Sequence, residues 1–349
     1  MKKFLLAAFM LTILSAASAQ DKHFTQFYAS PLTLNPALTG AFDGRYRVYG
    51  IYRDQWRGVL DAPYVTFAGA ADVRWDMVLD SRYKDAFAVG LLFYNDKVGG
   101  LDFTTNQMTL SAAFHKGLDF DKKQFLSIGI QAGLAQRSIS YEDLTFDDQF
   151  NDLNAFNMAT REDLPENNFA FSDFAAGLNY NYSPKNGAKF FAGFALHHFL
   201  QPRISFYPED NANLIIEEDK LYMQISGQFS AQIPLNDRLS LVPRALIAKQ
   251  GPHLEVNTGT NLRIGLNNYN GNALQLGSWV RPVSNEDNSM GLDALIFLVG
   301  FELGNVSLGF SYDLNLNSVS NVGRAQNAFE FSATYIGSFE DESILCPRF

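Results

Sequence analysis

The feature that most constrains this fold is a period-two alternation of apolar and polar residues that recurs along most of the chain. In NVSLGFSYD, residues 305–313, one face carries only apolar side chains: Val306, Leu308, Phe310 and Tyr312. The other face carries small or polar ones, and the stretches 126–137, 173–182 and 328–336 repeat the pattern. Because side chains alternate between the two faces of a strand, the pattern predicts strands with one apolar and one polar side.

The length of these segments favours a membrane barrel over a soluble sandwich. They run for about 9–13 residues, roughly twice a usual strand, and a tilted strand of that length crosses a bilayer. Tyr or Phe stands near many segment ends, as in the aromatic girdles of outer-membrane barrels. We count about fourteen segments, at roughly 45–53, 64–75, 86–94, 103–115, 124–138, 172–183, 188–199, 220–232, 237–248, 254–266, 272–281, 290–302, 305–313 and 326–336.

The connections between segments sort by length, as in outer-membrane barrels, where short periplasmic turns alternate with longer external loops. With the N-terminus inside, the connections that fall outside are 54–63, 95–102, 139–171, 200–219, 249–253, 282–289 and 314–325. Short sequences such as PKNG, PLND and GN then fall on the periplasmic side. The sequence therefore predicts an all-β fold, a transmembrane outer-membrane β-barrel of about fourteen antiparallel strands with periplasmic N- and C-terminal segments.

The first residues predict a secretory signal peptide over 1–19. A basic start, an apolar stretch over 4–14 and the small residues Ala17-Ser18-Ala19 precede the expected cleavage site before Gln20. The apolar stretch is shorter than the ~20 residues of a spanning helix, which disfavours an N-terminal membrane anchor. The predicted parts of the mature chain are a periplasmic N-terminal segment (20–44), the barrel (45–337) and a periplasmic tail (338–349).

Charge and cysteine content restrict the class of partner. Removal of Lys2 and Lys3 with the signal peptide leaves 25 basic residues against 37 acidic ones, a formal charge of −12. That balance argues against nucleic acid, which binds basic surfaces. Cys346 is the only cysteine, so no disulfide framework is predicted, and the thiol is either tolerated or bonded to another chain.

The sequence predicts no metal, cofactor or catalytic site. His197 and His198 are adjacent, so on a strand their side chains point to opposite faces and do not share a metal. The motifs H-x-x-x-H, G-x-S-x-G and the phosphate-binding P-loop are absent from the sequence. The connection 139–171 is rich in carboxylates that suit Ca²⁺, but it lacks the glycine and final Glu of an EF-hand. We interpret it as a solvated external loop or a partner-binding one, with calcium as the remaining alternative.

Several motifs together resemble one known family. They are HFTQFYASPLTLNPALTG at 23–40, YRDQW at 52–56 followed by Pro63, NDKVGG at 95–100, the stretch 171–202 and CPRF at 346–349. In the first motif the matching residues are Gln26, Phe27, Asn35, Pro36, Ala37 and Gly40. The combination resembles the PorP/SprF family of type IX secretion system membrane proteins of the Bacteroidota. One departure is NPALTG, because the family often has an aromatic residue at Leu38 or Thr39.

The resemblance implies a function as well as a fold. Members accompany type IX secretion and work with one dedicated cell-surface protein, often a large adhesin with a type B C-terminal sorting domain, in its export or in holding it at the surface. Other members are linked to periplasmic components of the machine and to peptidoglycan-binding proteins. The resemblance implies an outer-membrane location and no cofactor. A small-molecule channel is the alternative from the transport class.

We predict partner contacts for eight residues: Asn35, Pro36, Tyr52, Arg53, Gln55, Trp56, Cys346 and Phe349. The Asn-Pro pair is turn chemistry that lets the N-terminal segment fold under the barrel, or else a periplasmic docking site. The CPRF tail follows the last strand and is interpreted as a plug or a partner contact.

The cluster YRDQW at 52–56 has three interpretations. The first is an aromatic girdle with a salt bridge at the external rim, formed by Arg53 or Arg57 with Asp54 or Asp61. The second is a contact surface for the secreted partner, because Trp, Tyr and Arg dominate binding energy at interfaces. The third places Arg53 inside the lumen, facing a threaded segment.

Overall fold

The computed structural model shows a closed antiparallel β-barrel of fourteen strands among the residues that it describes. Those residues are 24–57, 63–77, 85–99, 102–121, 123–142, 144–151, 155–184, 186–207, 220–266, 271–284, 289–316 and 327–338. The predicted signal peptide and the CPRF tail, with Cys346 and Phe349, lie outside them. The predicted fold class is confirmed.

Each strand pairs with its neighbour in sequence, and the last pairs with the first. The strands are β1 (Tyr46–Gln55), β2 (Tyr64–Met77), β3 (Asp85–Val98), β4 (Phe103–Gly117), β5 (Gln124–Ser138), β6 (Asn168–Tyr182), β7 (Lys189–His197), β8 (Gln224–Pro234), β9 (Leu239–Gln250), β10 (His253–Gly265), β11 (Ala273–Ser284), β12 (Met290–Leu303), β13 (Val306–Asn315) and β14 (Ala328–Gly337). The register between β1 and β14 runs without a break from Tyr46↔Gly337 to Gln55↔Ala328. The sheet therefore has no free edge strand.

The two ends of the barrel differ in their connections. The end that carries the connections 139–167, 198–223 and 316–327 is called the external end here, and the other is called the internal end. At the internal end the chain turns between strands over 235–238 and 304–305. This is the sorting that the sequence predicted.

The outer face of the barrel is apolar. Side chains with about half or more of their surface exposed include Leu91 (49%), Leu110 (58%), Ile130 (63%) and Leu134 (69%), all on the face away from the lumen. Their sequence neighbours on the inner face, such as Ser111 and Gln131, are small or polar and buried. An apolar exterior around a polar interior is the arrangement of outer-membrane barrels.

Aromatic rings pair on the outer face near both ends of the strands. Trp75 stacks on Phe87 at the internal end, with ring centroids 6.5 Å apart. Trp56 and Tyr64 meet edge to face at the external end, 5.0 Å apart. Such rings form the girdles that mark the two membrane interfaces. Within the described ranges, the structure contains no helix that is long and apolar enough to span a membrane.

The apolar exterior makes a prediction about lipid exposure. Replacing Ile130 by Arg places a charge on the lipid-facing surface of β5, and we expect a loss of about 2–4 kcal/mol in the free energy of unfolding. Met158 is 53% exposed in the external connection 139–167, so Met158→Arg serves as a control that stays near zero. Urea unfolding of the barrel in lipid vesicles measures both. Equal, small effects would contradict a lipid-facing Ile130.

Candidate functional site

Residues 24–40 fill the lumen of the barrel, and we call this segment the lumen plug. It consists of short helical turns at Phe27–Ala29, Pro31–Leu34 and Pro36–Leu38. Two of these turns begin with proline, whose fixed φ suits the first helical position. Several plug side chains have no exposed surface at all: Gln26, Leu32, Asn35, Ala37 and Thr39.

The plug runs through the barrel from one end to the other. Thr25 contacts Arg53 and Glu330, which lie near the external ends of β1 and β14. Gly40 contacts Asp72 near the internal end of β2, and the chain then enters β1. The prediction of a segment folded under the barrel is therefore corrected for residues 24–40, which lie inside it. The physical reason is that fourteen strands enclose more space than wall side chains fill.

At the external end the plug is held by a buried ionic cluster. The Arg53 guanidinium lies 2.5 Å from Glu330 Oε1 and 3.1 Å from Asp313 Oδ2. Arg281 also contacts Asp313, at 3.0 Å. The plug backbone joins this cluster, because the Thr25 and Gln26 amides donate to the two Glu330 oxygens at 2.6 and 2.8 Å. Glu330 therefore binds the plug backbone and the wall residue Arg53 at the same time.

Thr25 is the plug side chain at the centre of this cluster. Its hydroxyl donates to Asp313 Oδ2 at 2.7 Å and accepts from Arg53 and Arg281 at 2.8 and 2.9 Å. One hydroxyl therefore links a carboxylate oxygen and two guanidinium groups. Buried charges are stable only when they are paired in this way.

The YRDQW cluster divides between the two faces of β1. Arg53 is 1% exposed and points into the lumen, so it is not the rim residue that the first interpretation proposed; the third interpretation describes its position. Gln55, with its amide oxygen turned towards Arg53, accepts from Nε at 2.8 Å. Tyr52 packs against Phe329 on the outer face.

A salt bridge at the rim does form, between Arg57 and Asp54. Arg57 Nε donates to Asp54 Oδ2 at 3.0 Å, and the Tyr52 hydroxyl donates to the same oxygen at 3.2 Å. The hydrogen bond to Asp54 is also the main reason that the pKa of Arg57 is raised. Trp56 adopts a positive φ of 62° and is 36% exposed, so it is the most accessible ring of the cluster.

In the middle of the lumen, Asn35 and Pro36 sit in a notch made of glycines. The Asn35 amide donates to the carbonyls of Leu178 and Phe194 at 3.0 and 3.2 Å, and its oxygen accepts from the Ala37 N–H at 2.8 Å. A Cβ atom on Gly177 would lie 2.0 Å from the Asn35 oxygen, and one on Gly129 would lie 2.3 Å from the Pro36 carbonyl carbon. Only glycine admits the plug here.

This notch explains the predicted turn chemistry of the Asn-Pro pair. Asn35 caps the turn Pro36–Leu38 and fixes it to β6 and β7 at the same time. Asn35 has no exposed surface, so in this structure it supports the plug rather than offering a periplasmic docking site.

At the internal end a second buried carboxylate holds the plug. Asp72 accepts two hydrogen bonds from Arg47, at 2.9 and 2.6 Å, and one from the Gly40 N–H at 2.7 Å. Gly40 has a φ of +72°, and a Cβ there would lie 2.2 Å from Ala88 Cβ. His115 Nε2 lies 2.8 Å from the Thr39 carbonyl, which only accepts, so this nitrogen carries the proton.

Between the two carboxylates, aromatic contacts anchor the plug. Tyr28 stacks on Trp279 with ring centroids 6.0 Å apart, and Phe27 meets Trp279 edge to face at 5.6 Å. The Arg244 guanidinium carbon lies over the Tyr28 ring, 3.8 Å from its centroid, as a cation–π contact. The plug is therefore held by rings as well as by charges.

Among the described residues, no group of three or more His, Cys, Asp or Glu side chains is arranged to hold a metal ion. Two acids of the loop 139–171, Asp143 and Asp152, lie outside those residues, so the calcium alternative is untested there. The wall residues that bind the plug, such as Asp72 and Glu330, were not predicted as site residues. The sequence feature that could have predicted them is a charged residue on the face of a strand that otherwise carries small and polar residues.

A closed fourteen-stranded barrel with an apolar exterior and a plugged polar lumen is an outer-membrane protein. The family model described as type IX secretion system membrane protein PorP/SprF matches residues 16–335. The chain therefore belongs to the PorP/SprF family, as its motifs predicted. A search of curated proteins found no match.

Solved structures share the barrel fold at low sequence identity. The CymD monoaromatic hydrocarbon channel is 10% identical, with a TM-score of 0.50 over 89% of this chain and 93% of that one. A FadL homologue from Pseudomonas aeruginosa is 11% identical, with a TM-score of 0.48 over 86% and 92%. The toluene transporter TodX from P. putida is 12% identical, with a TM-score of 0.42 over 88% and 93%. At these identities the CymD match shows the fold alone.

The ionic cluster predicts unequal effects for the buried Arg53 and for Lys97, which forms an exposed ion pair with Asp102. Arg53→Met leaves the buried Glu330 without its cation, and we expect the free energy of unfolding to fall by about 3–5 kcal/mol. Lys97→Met removes a cation whose ion pair with Asp102 is exposed on both sides, with side-chain exposures of 50% and 54%, and should leave the free energy of unfolding unchanged. Urea titration of both variants in lipid vesicles compares them. Equal effects would show that Arg53 is not engaged inside the barrel.

The glycine notch predicts a similar contrast between two glycines. Gly177→Ala forces a methyl group against Asn35, and we expect a stability loss at or above the ~1–3 kcal/mol of overpacking. Gly227→Ala is the matched control, because a Cβ at Gly227 meets no atom within 4 Å. The temperature at which the folded barrel loses its fast gel mobility measures both. A Gly177→Ala barrel as stable as Gly227→Ala would contradict the docking of Asn35.

Proposed function

We propose that this protein is a binding component of the type IX secretion system that partners one dedicated secreted cell-surface protein and supports its export or its attachment at the surface. The observation that carries the proposal is the filled lumen. Residues 24–40 occupy the barrel from the external to the internal end, and both ends are fixed by buried carboxylates. Because the lumen is filled by the protein's own chain, its external surface is the part that can bind a partner. This role requires no catalysis.

Membership of the PorP/SprF family supports this proposal. The family implies a secreted partner with a type B C-terminal sorting domain, together with contacts to periplasmic secretion components and to a peptidoglycan-binding protein. On this proposal the external connections face the secreted partner. The internal turns, such as 235–238, face the periplasmic components.

Affinity purification of the full-length barrel from its native outer membrane tests the proposal. A tag inserted in the internal turn 235–238 leaves the plug and the external connections unchanged. We expect mass spectrometry to find one large surface protein with a type B sorting domain in near-equal amount. A barrel that is recovered alone, under mild detergent and low salt, would contradict the proposal.

A small-molecule channel is the second candidate, and one observation favours it. Beside the plug at the external end lies a cavity of about 70 Å³ that opens to solvent. Its lining is mixed, with Phe24, Phe27 and Leu246 against His197, His253 and Glu255. This volume is below the roughly 300–1,000 Å³ of a drug-sized ligand pocket, so the cavity would admit only a small solute.

Conductance in planar bilayers separates the two candidates. A binding component with a filled lumen should show no ion conductance, whereas a diffusive channel should conduct ions. Silent insertion of the wild-type barrel together with recovery of a partner supports the first candidate. Steady conductance of the wild-type barrel without a partner supports the second.

A further inference from the structure

The described parts of the external connection between β5 and β6 are held together by hydrogen bonds. Around the turn Asp147–Gln149, the Phe146 N–H donates to the Gln149 side chain at 2.9 Å. The returning chain is tied to this turn, because the Met158 N–H donates to the Gln149 carbonyl at 3.0 Å and the Arg161 N–H donates to Asp148 at 2.5 Å. These bonds join the described residues 146–151 to 155–161 at the external end.

This connection presents apolar side chains to solvent. Phe150 and Phe156 pair across an antiparallel bridge, and their ring centroids lie 5.1 Å apart. Even so, Phe150 is 39% exposed, Phe156 is 50% exposed and the nearby Met158 is 53% exposed. The barrel wall faces lipid and needs apolar surface, but a loop at the external end does not. A fixed cluster of exposed rings at such a place marks an interaction surface.

Acidic residues follow the cluster closely in the chain. Glu162, Asp163 and Glu166 are all exposed, and they come directly after Arg161, whose backbone is fixed to Asp148. Arg161 is the only basic residue in the described parts of 139–171. We call Phe150, Phe156 and Met158, together with the exposed acids Glu162, Asp163 and Glu166 that follow them in the chain, the loop knob.

The charge of the loop knob restricts which kind of partner can bind it. A second copy of this chain is disfavoured, because the whole chain carries a formal charge of −10 and the two knobs would repel each other. An apolar pocket rimmed by Lys and Arg is complementary both to the rings and to the acids. Apolar contacts of this kind supply most of the affinity, and rim charges steer the encounter.

We propose that the loop knob is the docking site for the secreted surface protein, and that this partner offers an apolar pocket with a basic rim. The inference rests on the proposed function and adds to it the surface and the chemistry of the contact. The knob lies at the external end, which a partner displayed on the cell surface reaches.

Purification of the tagged full-length barrel tests the inference with three variants. Phe156→Ser with Met158→Ser removes the apolar surface and should lower the recovered surface protein per barrel by about tenfold or more. Glu162→Lys with Asp163→Lys and Glu166→Lys should also lower recovery, and should abolish the decrease that rising salt causes for the wild type. Phe120→Ser is the matched control, since Phe120 is 64% exposed in the internal turn between β4 and β5.

The outcomes separate the inference from the proposed function. Recovery of the surface protein that falls with both knob variants but stays within about twofold for Phe120→Ser supports the inference. Undiminished recovery by the Phe156/Met158 variant, or recovery of a differently tagged second copy through the knob, overturns it and leaves the proposed function standing. No surface protein with the wild-type barrel overturns both. The fast-migrating folded band on gels confirms that each variant is assembled.

Discussion

The constraint on which the structure depends is that a lipid bilayer offers no hydrogen-bond partner to an exposed backbone N–H or C=O group. The sheet therefore closes on itself, with Tyr46–Gln55 paired along its whole length to Ala328–Gly337. Closure with fourteen strands encloses a lumen too wide for wall side chains alone to fill. The N-terminal segment restores close packing inside, so the need for a plug follows from the number of strands.

The plug is fixed mainly by groups that are costly to bury without a partner. Glu330 and Asp72, near opposite ends of the lumen, each bind one or two plug amides together with a wall arginine. Each buried carboxylate is thus bound by the plug and by the wall. Removing the arginine would leave the carboxylate charge buried and unpaired in a low-dielectric interior. The result is a closed barrel with a filled lumen whose external connections remain for binding, and this is why we propose a partner-binding role over a pore.

The sequence predicted the wall far better than the interior. Period-two alternation is a local signal, so all fourteen strands were found to within a few residues at most ends. The plug was predicted as a segment below the barrel, because Pro31, Asn35, Pro36 and Gly40 indicate turns but not where the turns pack. Its decisive contact, between Thr25 and Glu330, joins residues 305 positions apart. The inward position of Arg53 could have been predicted. Val48 and Tyr52 face outward, and side chains alternate along a strand, so Arg53, which follows Tyr52, faces the lumen.

A disulfide between plug and wall is the most direct test that the N-terminal segment fills the lumen. The Thr39 and Ser111 hydroxyl oxygens lie 3.0 Å apart, so cysteines at both positions, with Cys346→Ser, are within reach of each other. The account predicts that oxidation of the barrel in its membrane links residues 39 and 111, while Thr39→Cys with Gly227→Cys stays reduced. Two free thiols in the first pair after oxidation would contradict it.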